Sequence, residues 1–147
     1  MPSMKCVIQR VRRASVTVRE ELVAEIGAGL LVLAAVEKGD GEQAMGEAAR
    51  KIRELRIFSD DAGKMNRDVS EAGGAVLAVS QFTLAGSIAK GGPSFDNAEE
   101  PGRARELFEL FVRELGATGI RVATGRFREM MIVSLDNDGP VTFFLEC

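Results

Sequence analysis

A Gly-Pro pair near the carboxyl end of the chain constrains the fold more than any other short segment. Gly139 and Pro140 separate two apolar runs of strand length, Met130 to Leu135 and Val141 to Leu145. Glycine weakens a strand interior and proline removes a backbone donor, so the pair is expected to interrupt what would otherwise be one continuous strand. The residues alone leave two interpretations open: a plain turn, which Asp-Gly and Gly-Pro favour, or a segment that serves something other than sheet pairing.

The rest of the chain divides into runs with strand and helix patterns. Valines punctuate two short runs joined near Arg12 to Ala14, and this pattern predicts a hairpin. The segment from Gly29 to Val36 is almost entirely apolar, which predicts a strand buried on both faces. Further strands are predicted at Leu22 to Ile26, Val76 to Val79, Ile120 to Ala123, Met130 to Leu135 and Val141 to Leu145.

Two segments carry helical periodicity. In Glu42 to Arg56 and in Arg103 to Leu115, apolar residues recur at three- and four-residue spacing. Between Ala85 and Pro101 the chain is rich in Gly and Pro, which predicts a long loop without regular structure. Early strands, two strand-helix units and late strands indicate a single α/β domain over residues 1–147. Both helices should cover one side of a strongly curved sheet or of two stacked sheets.

Composition limits the cellular setting and the partners. The chain has 147 residues, of which 46% are apolar and 28% charged, as in ordinary globular proteins. No apolar run approaches the roughly 20 residues of a membrane span, and the first residues lack the apolar stretch of a signal peptide. We therefore expect a cytoplasmic protein with no membrane partner. A net charge of −3 argues against a broad basic face for nucleic acid, although basic residues cluster around Arg10 to Arg13 and Arg50 to Arg56.

Composition also excludes several kinds of catalytic site. The chain has no histidine, which removes a Ser-His-Asp triad, a Cys-His pair and any His-ligated metal. Cys6 and Cys147 give no metal-ligand spacing and are expected to be inert thiols. Asp60 and Asp61 are adjacent in a Gly-containing turn, where carboxylates are usually solvated. We expect neither a metal nor a cofactor, so any hydrolytic chemistry must use other groups.

A polar segment follows the strand predicted around Val76 to Val79. Ser80-Gln81-Phe82-Thr83-Leu84 places hydroxyl and amide groups where a strand ends, a common position for a site. Together with Asn137-Asp138-Gly139-Pro140-Val141-Thr142, it resembles the signature motifs of the D-aminoacyl-tRNA deacylase family, SQFTL and N-x-G-P-[VF]-T. The resemblance continues in the family's order through Lys5–Val11, Gly29–Leu33, Lys51–Phe58, Gly63–Asn66, Pro93–Phe95 and the positions Gly125, Phe127 and Met131.

The resemblance implies a fold, an activity and a set of site residues. The fold is a β/β/α arrangement with curved mixed sheets and two main helices, in a symmetric homodimer. The activity is hydrolysis of the ester bond of D-aminoacyl-tRNA, with rejection of L-aminoacyl-tRNA and with action on glycine mischarged onto alanine tRNA. The implied catalytic residues are Ser80, Gln81, Phe82 and Thr83. The implied substrate-binding residues are Arg10, Phe95, Met131, Gly139 and Pro140.

The family also implies how the two motifs meet. A cis Gly139-Pro140 peptide bond is expected to reach across the dimer interface into the partner's pocket. Its main-chain carbonyls would form a rigid obstacle to the side chain of an L substrate.

Several mechanisms and roles stay open at the level of sequence. An aminoacyl ester is already activated, so main-chain amides around Phe82 and Thr83 would suffice to stabilise the oxyanion. Thr83 as a nucleophile would need a general base, and none lies nearby in sequence. The family implies assistance by the adjacent ribose hydroxyl instead, with Thr83 in a positioning role. Phe82 and Phe95 either stack on adenine or belong to the core.

The chain departs from the family pattern at two places. The usual N-R-P-S-F reads Gly91-Gly92-Pro93-Ser94-Phe95, so a basic residue is missing at Gly92. The usual G-x-F-G-A-x-M carries Arg128 and Glu129 in place of two small residues, and these side chains either narrow the adenosine pocket or replace the lost cation. The alternative function is therefore a catalytically weak homodimer that binds RNA ends or nucleotides on the same scaffold.

Overall fold

The computed structural model describes residues 4–89 and 91–147. The strands in these residues are β1 Lys5–Val18, β2 Glu21–Ile26, β3 Gly29–Ala35, β4 Phe58–Ser59, β5 Met65–Arg67, β6 Ala75–Ser80, β7 Ser87–Ala89, β8 Gly92–Ser94, β9 Val122–Thr124 and β10 Ile132–Glu146. The helices are α1 Glu42–Arg53 and α2 Pro101–Leu115, and a 3-10 turn spans Phe82–Ala85. No helix within these two ranges combines the length and the apolar character that crossing a membrane requires.

One mixed sheet forms the body of the protein. Its strand order is β10-β1-β3-β6-β9, and β2 pairs with the carboxyl-terminal part of β1. β1 is antiparallel to both β10 and β3, whereas β3, β6 and β9 run parallel to one another. β3 lies at the centre and is buried along nearly its whole length, which confirms the strand predicted at Gly29 to Val36.

The helices cover one face of this sheet, and the sheet curls around the other. Side chains from both helices pack against Ile8 of β1 and against Leu30 and Val32 of β3. On the opposite face, Leu31 and Leu77 belong to a second buried cluster. β2 covers this cluster, because it pairs with β1 and also contacts β6 and β9. The buried helix residues are Met45, Ala48, Ala49 and Ile52 of α1 and Leu107, Phe108, Phe111 and Leu115 of α2. The expected α/β class, with a curved mixed sheet and two main helices, is confirmed.

The hairpin predicted near Arg12 to Ala14 was wrong. β1 continues through these residues as one strand of 14 residues, and its register against β10 shifts between Gln9 and Val11 and again between Val11 and Arg13. These irregularities break the strict alternation of buried residues that a regular strand would show. The actual turn comes at Arg19 and Glu20, whose φ angles of 50° and 66° are those of a tight hairpin turn.

The two strands predicted on either side of Gly139-Pro140 also form a single element. β10 runs unbroken through the pair, but its ladder to β1 steps from Asn137 opposite Val11 to Thr142 opposite Gln9. The residues between Asn137 and Thr142 therefore form a bulge opposite Arg10. The Gly139-Pro140 peptide bond is cis, as the family resemblance implied.

The long segment between the site and the second helix contains more structure than expected. β7 and β8 pair as a short hairpin, Ser87 with Ser94 and Ile88 with Pro93, where a loop without regular structure was predicted. α2 begins at Pro101 because the Glu100 carboxylate accepts hydrogen bonds from the N–H groups of Gly102 and Arg103.

Candidate functional site

The carboxyl ends of the three parallel strands lie at one edge of the sheet. Ser80 ends β6 beside Ala34 of β3, and Thr124 ends β9 beside Ala78 of β6. The next residue, Gln81, remains tied to this edge because its N–H donates to the carbonyl of Ala34 at 2.8 Å. In sheets of parallel strands this edge is where ligands commonly bind. The polar segment predicted at the end of a strand is therefore placed as expected.

The 3-10 turn leaves two main-chain donors available. Leu84 donates to the carbonyl of Gln81 at 3.1 Å, and Gly86 donates to the carbonyl of Thr83 at 3.0 Å. The N–H groups of Phe82 and Thr83 open the turn, and neither donates to another residue in the ranges described. Both residues are exposed, so the turn lies at the protein surface. Two adjacent N–H groups of this kind are able to bind an oxyanion.

The Thr83 hydroxyl is hydrogen-bonded to the side chain of Gln81 rather than to a base. The amide Nε2 of Gln81 donates to Thr83 Oγ1 at 3.1 Å. Within residues 4–89 and 91–147, no carboxylate or amine makes a hydrogen bond to this hydroxyl. The contact orients Thr83 without withdrawing its proton, which suits a positioning role better than a nucleophilic one.

Phe82 and Phe95 form an aromatic pair beside these donors. Their ring centroids are 5.1 Å apart with planes inclined at 62°, an edge-to-face contact. Phe95 also lies against Gly86, where an added Cβ would come within 2.9 Å of the ring. The rings are not core residues, because Phe82 is 54% exposed and Phe95 is 39% exposed. This excludes the core alternative for both residues and leaves them free to contact a planar base.

Met131 lies near the same edge of the sheet, beside the end of β9. The residue after β9 is Gly125, and an ideal Cβ on it would lie 2.7 Å from the sulfur of Met131. Only glycine allows this close approach. The structure thus brings Met131 near the end of β9, next to the strand that carries Ser80.

The Gly139-Pro140 bulge is framed by the polar residues of its own motif. Asn137 accepts a hydrogen bond from the Val141 N–H at 2.7 Å through Oδ1 and donates to Thr142 Oγ1 at 2.9 Å through Nδ2. Gly139 and Pro140 themselves are exposed at the tip. The sequence motif contained Asn137 and Thr142, but no role was assigned to them, because their contacts depend on the shape of the bulge.

Arg10 contacts the main chain of the Gly139-Pro140 bulge and does not lie at the sheet edge that carries Ser80. Its Nε donates to the carbonyl of Asp138 at 3.0 Å, and its Nη1 donates to the carbonyl of Ile57 at 2.6 Å. The guanidinium is mostly buried and also lies 3.7 Å from the Asp138 carboxylate. Arg10 therefore supports the main chain next to Gly139. No sequence signal identified Ile57, which takes part only through its carbonyl.

One chain does not bring the two motifs together. Ser80 pairs with Ala34 of β3, whereas Gly139 lies opposite Arg10, which pairs with Leu30 of β3. Measured along the sheet, the two motifs are separated in two directions. They are four residues apart in the direction of β3, which is about 13 Å, and three strands apart across the sheet, which is about 14 Å. The donors at Phe82 and Thr83 and the tip at Gly139-Pro140 therefore form two separate clusters within a single chain.

The departures from the family pattern lie at the surface. Arg128 and Glu129 are exposed in the segment between β9 and β10, and Arg128 adopts a φ of 63°. Gly92, which lacks the basic side chain of the family, is partly exposed in the β7–β8 hairpin.

The thiols and carboxylates offer no alternative chemistry at this edge. Burial, with a smaller contribution from the nearby Cys147 and Asp40, raises the pKa of the Cys6 thiol to about 12, so Cys6 stays protonated. Asp60 accepts hydrogen bonds from the N–H groups of Lys64 and Ala62, which lower its pKa. In the part of the chain that the structure describes, no group of three or more Asp, Glu, Cys or His side chains is arranged to hold a metal ion.

Comparisons with known proteins agree along the whole chain. The profile of the D-Tyr-tRNA(Tyr) deacylase family matches residues 7–146. A protein of Pelobacter propionicus named D-aminoacyl-tRNA deacylase is 57% identical over 144 residues, which cover 97% of this chain and 99% of the relative. A Geobacter sulfurreducens protein of the same name is 55% identical, with 97% and 95% covered.

Two solved structures are also similar. One, described as c-Myc DNA Unwinding Element Binding Protein, is 37% identical with a TM-score of 0.92 and covers 97% of this chain and 98% of its own. The other, described as a probable eukaryotic D-amino acid tRNA deacylase, has a TM-score of 0.84 at 15% identity over 99% and 100% of the two chains. At that identity, the second shows the fold alone.

Proposed function

The chain belongs to the D-Tyr-tRNA(Tyr) deacylase family, and on this premise we propose that it hydrolyses the ester bond of D-aminoacyl-tRNA, releasing free D-amino acid and tRNA. The observation that carries the proposal is the pair of N–H groups at Phe82 and Thr83 that have no partner among the described residues and lie beside two exposed aromatic rings. Such a site suits an activated ester attached to an unpaired nucleotide. It offers donors for the ester oxygen and an apolar surface for the base.

The substrate would use the residues at the end of β6 together. The ester carbonyl oxygen accepts from the N–H groups of Phe82 and Thr83, which stabilise the negative charge that develops in the transition state. The terminal adenine packs on the rings of Phe82 and Phe95. Ser80 and Gln81 offer polar side chains to the ribose, and Gln81 fixes the Thr83 hydroxyl.

Water is the attacking group, and the group that activates it is proposed to come from the substrate. The chain has no histidine, and Thr83 Oγ1 receives a hydrogen bond from an amide instead of giving its proton to a base. The free vicinal hydroxyl of the terminal ribose lies next to the ester and assists its hydrolysis, while Thr83 positions the reacting groups. Thr83→Ala should then retain substantial turnover, whereas a substrate that lacks this ribose hydroxyl should be cleaved hardly at all. Loss of turnover in Thr83→Ala with unchanged binding would favour Thr83 as nucleophile.

A homodimer is proposed to complete the site. Within one chain, Gly139-Pro140 is on the order of 20 Å from Ser80 by strand spacing, so only a second copy can bring this tip to the donors. β10 forms an edge of the sheet and exposes several apolar side chains, with Ile132 at 68% and Phe144 at 57% exposure. An edge of this kind normally pairs or is covered. A dimer buries these residues and delivers each tip to the partner's site.

The tip would then select against L substrates. Main-chain carbonyls of Gly139 and Pro140 cannot swing aside as a side chain does, because the bulge is fixed by Asn137 and Arg10. A D side chain projects away from this obstacle, and an L side chain meets it. Glycine has no side chain to exclude, so glycine mischarged onto alanine tRNA is a further proposed substrate. These activities would belong to translation quality control, and on that basis we propose a cytoplasmic location.

A deacylation assay with D-tyrosyl-tRNA, L-tyrosyl-tRNA and glycyl-tRNA(Ala) tests the proposal. We expect rapid release from the D-ester and from glycine, with the L-ester cleaved no faster than in buffer. If the protein binds tRNA but cleaves none of the three, the alternative function, a catalytically weak homodimer that binds RNA ends or nucleotides, replaces the enzyme. Comparable cleavage of the D- and L-esters would overturn the chiral role of Gly139-Pro140.

A further inference from the structure

A second concave surface lies next to the proposed site. It is a cleft of about 560 Å³ between α2 and the segment from Thr124 to Glu129. Thr124 ends β9 and pairs with Ala78, only two residues before Ser80. The cleft therefore begins one strand away from the site and extends along the exposed side of α2. Neither the catalytic nor the chiral part of the proposed function uses it.

Three arginines and two glutamates, Glu109 and Glu129, form the charged lining of the cleft. Arg105 is held by an ion pair with Glu109 at 3.2 Å and lies 5.9 Å from the centroid of the Phe127 ring. The side chains of Arg113 and Arg126 make neither an ion pair nor a hydrogen bond with any other described residue, and both residues are exposed. Arg113 lies in the last turn of α2, where the helix dipole favours a positive charge. Arg126 lies outside the helix, so the dipole does not explain why it faces the same cleft.

These features favour a polyanionic ligand. Because Arg105 is paired with Glu109, the charges that remain in the lining are Arg113 and Arg126 against Glu129. The cleft is therefore net positive in a chain whose net charge is −3. Arg105 and Arg113 are eight residues apart on one face of α2, which corresponds to about 12 Å. A span of that length exceeds the spacing of neighbouring phosphates along a nucleic-acid strand. The cleft therefore matches an extended phosphate backbone better than a single small anion.

We propose that this cleft binds the phosphodiester backbone of the tRNA acceptor stem, with Arg113 and Arg126 contacting phosphates. The inference rests on the proposed function, because the acylated end of the same tRNA occupies the neighbouring strand end. Phosphate contacts of this kind hold and orient an RNA without reading its sequence. They would let an acidic protein bind many tRNAs through one local basic surface, independently of the amino acid attached.

Steady-state kinetics on two substrates test the inference. The variants are Arg113→Ala, Arg126→Ala and both together, and Arg19→Ala is the control, since Arg19 is an exposed arginine in the β1–β2 turn. With D-tyrosyl-tRNA, we expect the double variant to raise KM by about tenfold while kcat stays unchanged. The slope of log KM against log salt should fall by about 1 for each arginine removed. With D-tyrosyl-adenosine, which has no stem, wild type and variants should be indistinguishable.

The outcomes separate this inference from the function on which it rests. If wild type cleaves D-tyrosyl-tRNA and the double variant shows the same KM and salt slope as Arg19→Ala, the cleft does not bind the stem. An equal loss on D-tyrosyl-tRNA and on D-tyrosyl-adenosine would also overturn it, because the arginines would then act on the acylated end. If wild type cleaves neither substrate, the proposed function fails instead, and binding of uncharged tRNA by filter retention then tests the cleft directly.

Discussion

At the scale of single residues, the main-chain donor of Phe82 can be removed without changing the backbone. Phe82 is the first residue of the 3-10 turn, and Gln81 before it is extended with φ −141° and ψ 90°. Proline is tolerated at the first position of such a turn, and the residue before a proline prefers the extended region, in which Gln81 lies. Phe82→Pro deletes the N–H group together with the ring, and Phe82→Ala deletes the ring alone.

We expect Phe82→Ala to lower kcat for D-tyrosyl-tRNA modestly, and Phe82→Pro to lower it by a further factor of about 10²–10³. That factor is typical of losing one donor to an oxyanion. Single-turnover rates at saturating enzyme provide the comparison, with thermal unfolding to confirm that both variants are folded. Equal rates for the two variants would show that the Phe82 N–H does not contact the reacting oxygen.

Gly139 is the second residue whose backbone decides its role. Its φ is +137°, and an added Cβ would lie 2.6 Å from Val141 Cγ2 and 3.2 Å from Arg10 Nη2. Gly139→Ala should displace the tip and abolish most D-ester cleavage, at a cost of about 1–3 kcal/mol in the free energy of unfolding. Gly27→Ala is the matched control, since nothing lies within 4 Å of its Cβ position. Full activity and unchanged D-over-L preference in Gly139→Ala would remove this residue from the chiral filter.

The residues of the site were predictable to different degrees. Ser80 to Thr83 could be placed at a strand end because an apolar run before a polar segment marks that boundary. The role of Arg10 could not be predicted, because its partners are carbonyls of Ile57 and Asp138, distant in sequence and set by tertiary folding. The exposure of Phe82 was equally hidden, since an aromatic residue after a buried strand fits the core as well as a surface.

At the scale of elements, the helices were predicted more accurately than the long strands. α1 and α2 carry a regular apolar stripe, and that pattern survives folding intact. β1 and β10 contain bulges at adjacent positions of their ladder, and each bulge shifts the alternation of buried residues. Periodicity therefore suggested ends of strands where the structure has bends, both near Arg12 and at Gly139-Pro140.

The connection between β3 and α1 holds a buried carboxylate that should couple stability to pH. Asp40 is buried, its Oδ2 accepts from the Glu37 N–H at 2.8 Å, and its Oδ1 has no partner among the described residues. Burial raises the pKa of Asp40, the Glu37 N–H opposes this shift, and the charges of Glu37 and Glu99 add to it. Lys5 pairs with Glu37 at 3.4 Å and so does not neutralise Asp40 directly.

A raised pKa means that the folded protein binds the Asp40 proton more tightly than the unfolded chain does. The stabilising contribution of this proton is complete below the ordinary aspartate value of about 3.9 and is lost as pH rises through the raised pKa. Asp40→Asn removes this loss. Urea unfolding of both proteins from pH 4 to pH 8 should show the variant gaining stability relative to wild type as pH rises. A constant difference across that range would contradict the assignment.

At the scale of the whole molecule, the arrangement of the site across two chains is the central expectation. Sequence patterns cannot show it, because they report the period of each element and not the distance between elements in the sheet. Only the strand order places Ser80 and Gly139 on the order of 20 Å apart within one chain. The exposed apolar residues of β10, Phe143 and Phe144 among them, indicate where a second copy would pack.

Subunit complementation tests this arrangement directly. In a heterodimer of a Phe82→Pro chain and a Gly139→Ala chain, one site would combine the intact Phe82 of one chain with the intact Gly139 of the other. Each parent homodimer is defective at both of its sites. Heterodimers isolated through two different affinity tags should therefore recover about half of the wild-type kcat, since one of two symmetric sites is restored.

The matched control carries both substitutions in one chain and pairs that chain with wild type. If each site takes its Gly139 from the partner, both sites of this heterodimer are defective, and its activity should be close to zero. If each chain builds its own site, the same heterodimer keeps one intact site and half of the activity, while the complementation pair stays inactive. The two arrangements therefore give opposite results in the same pair of samples, and a half-active control beside an inactive complementation pair would overturn the shared site.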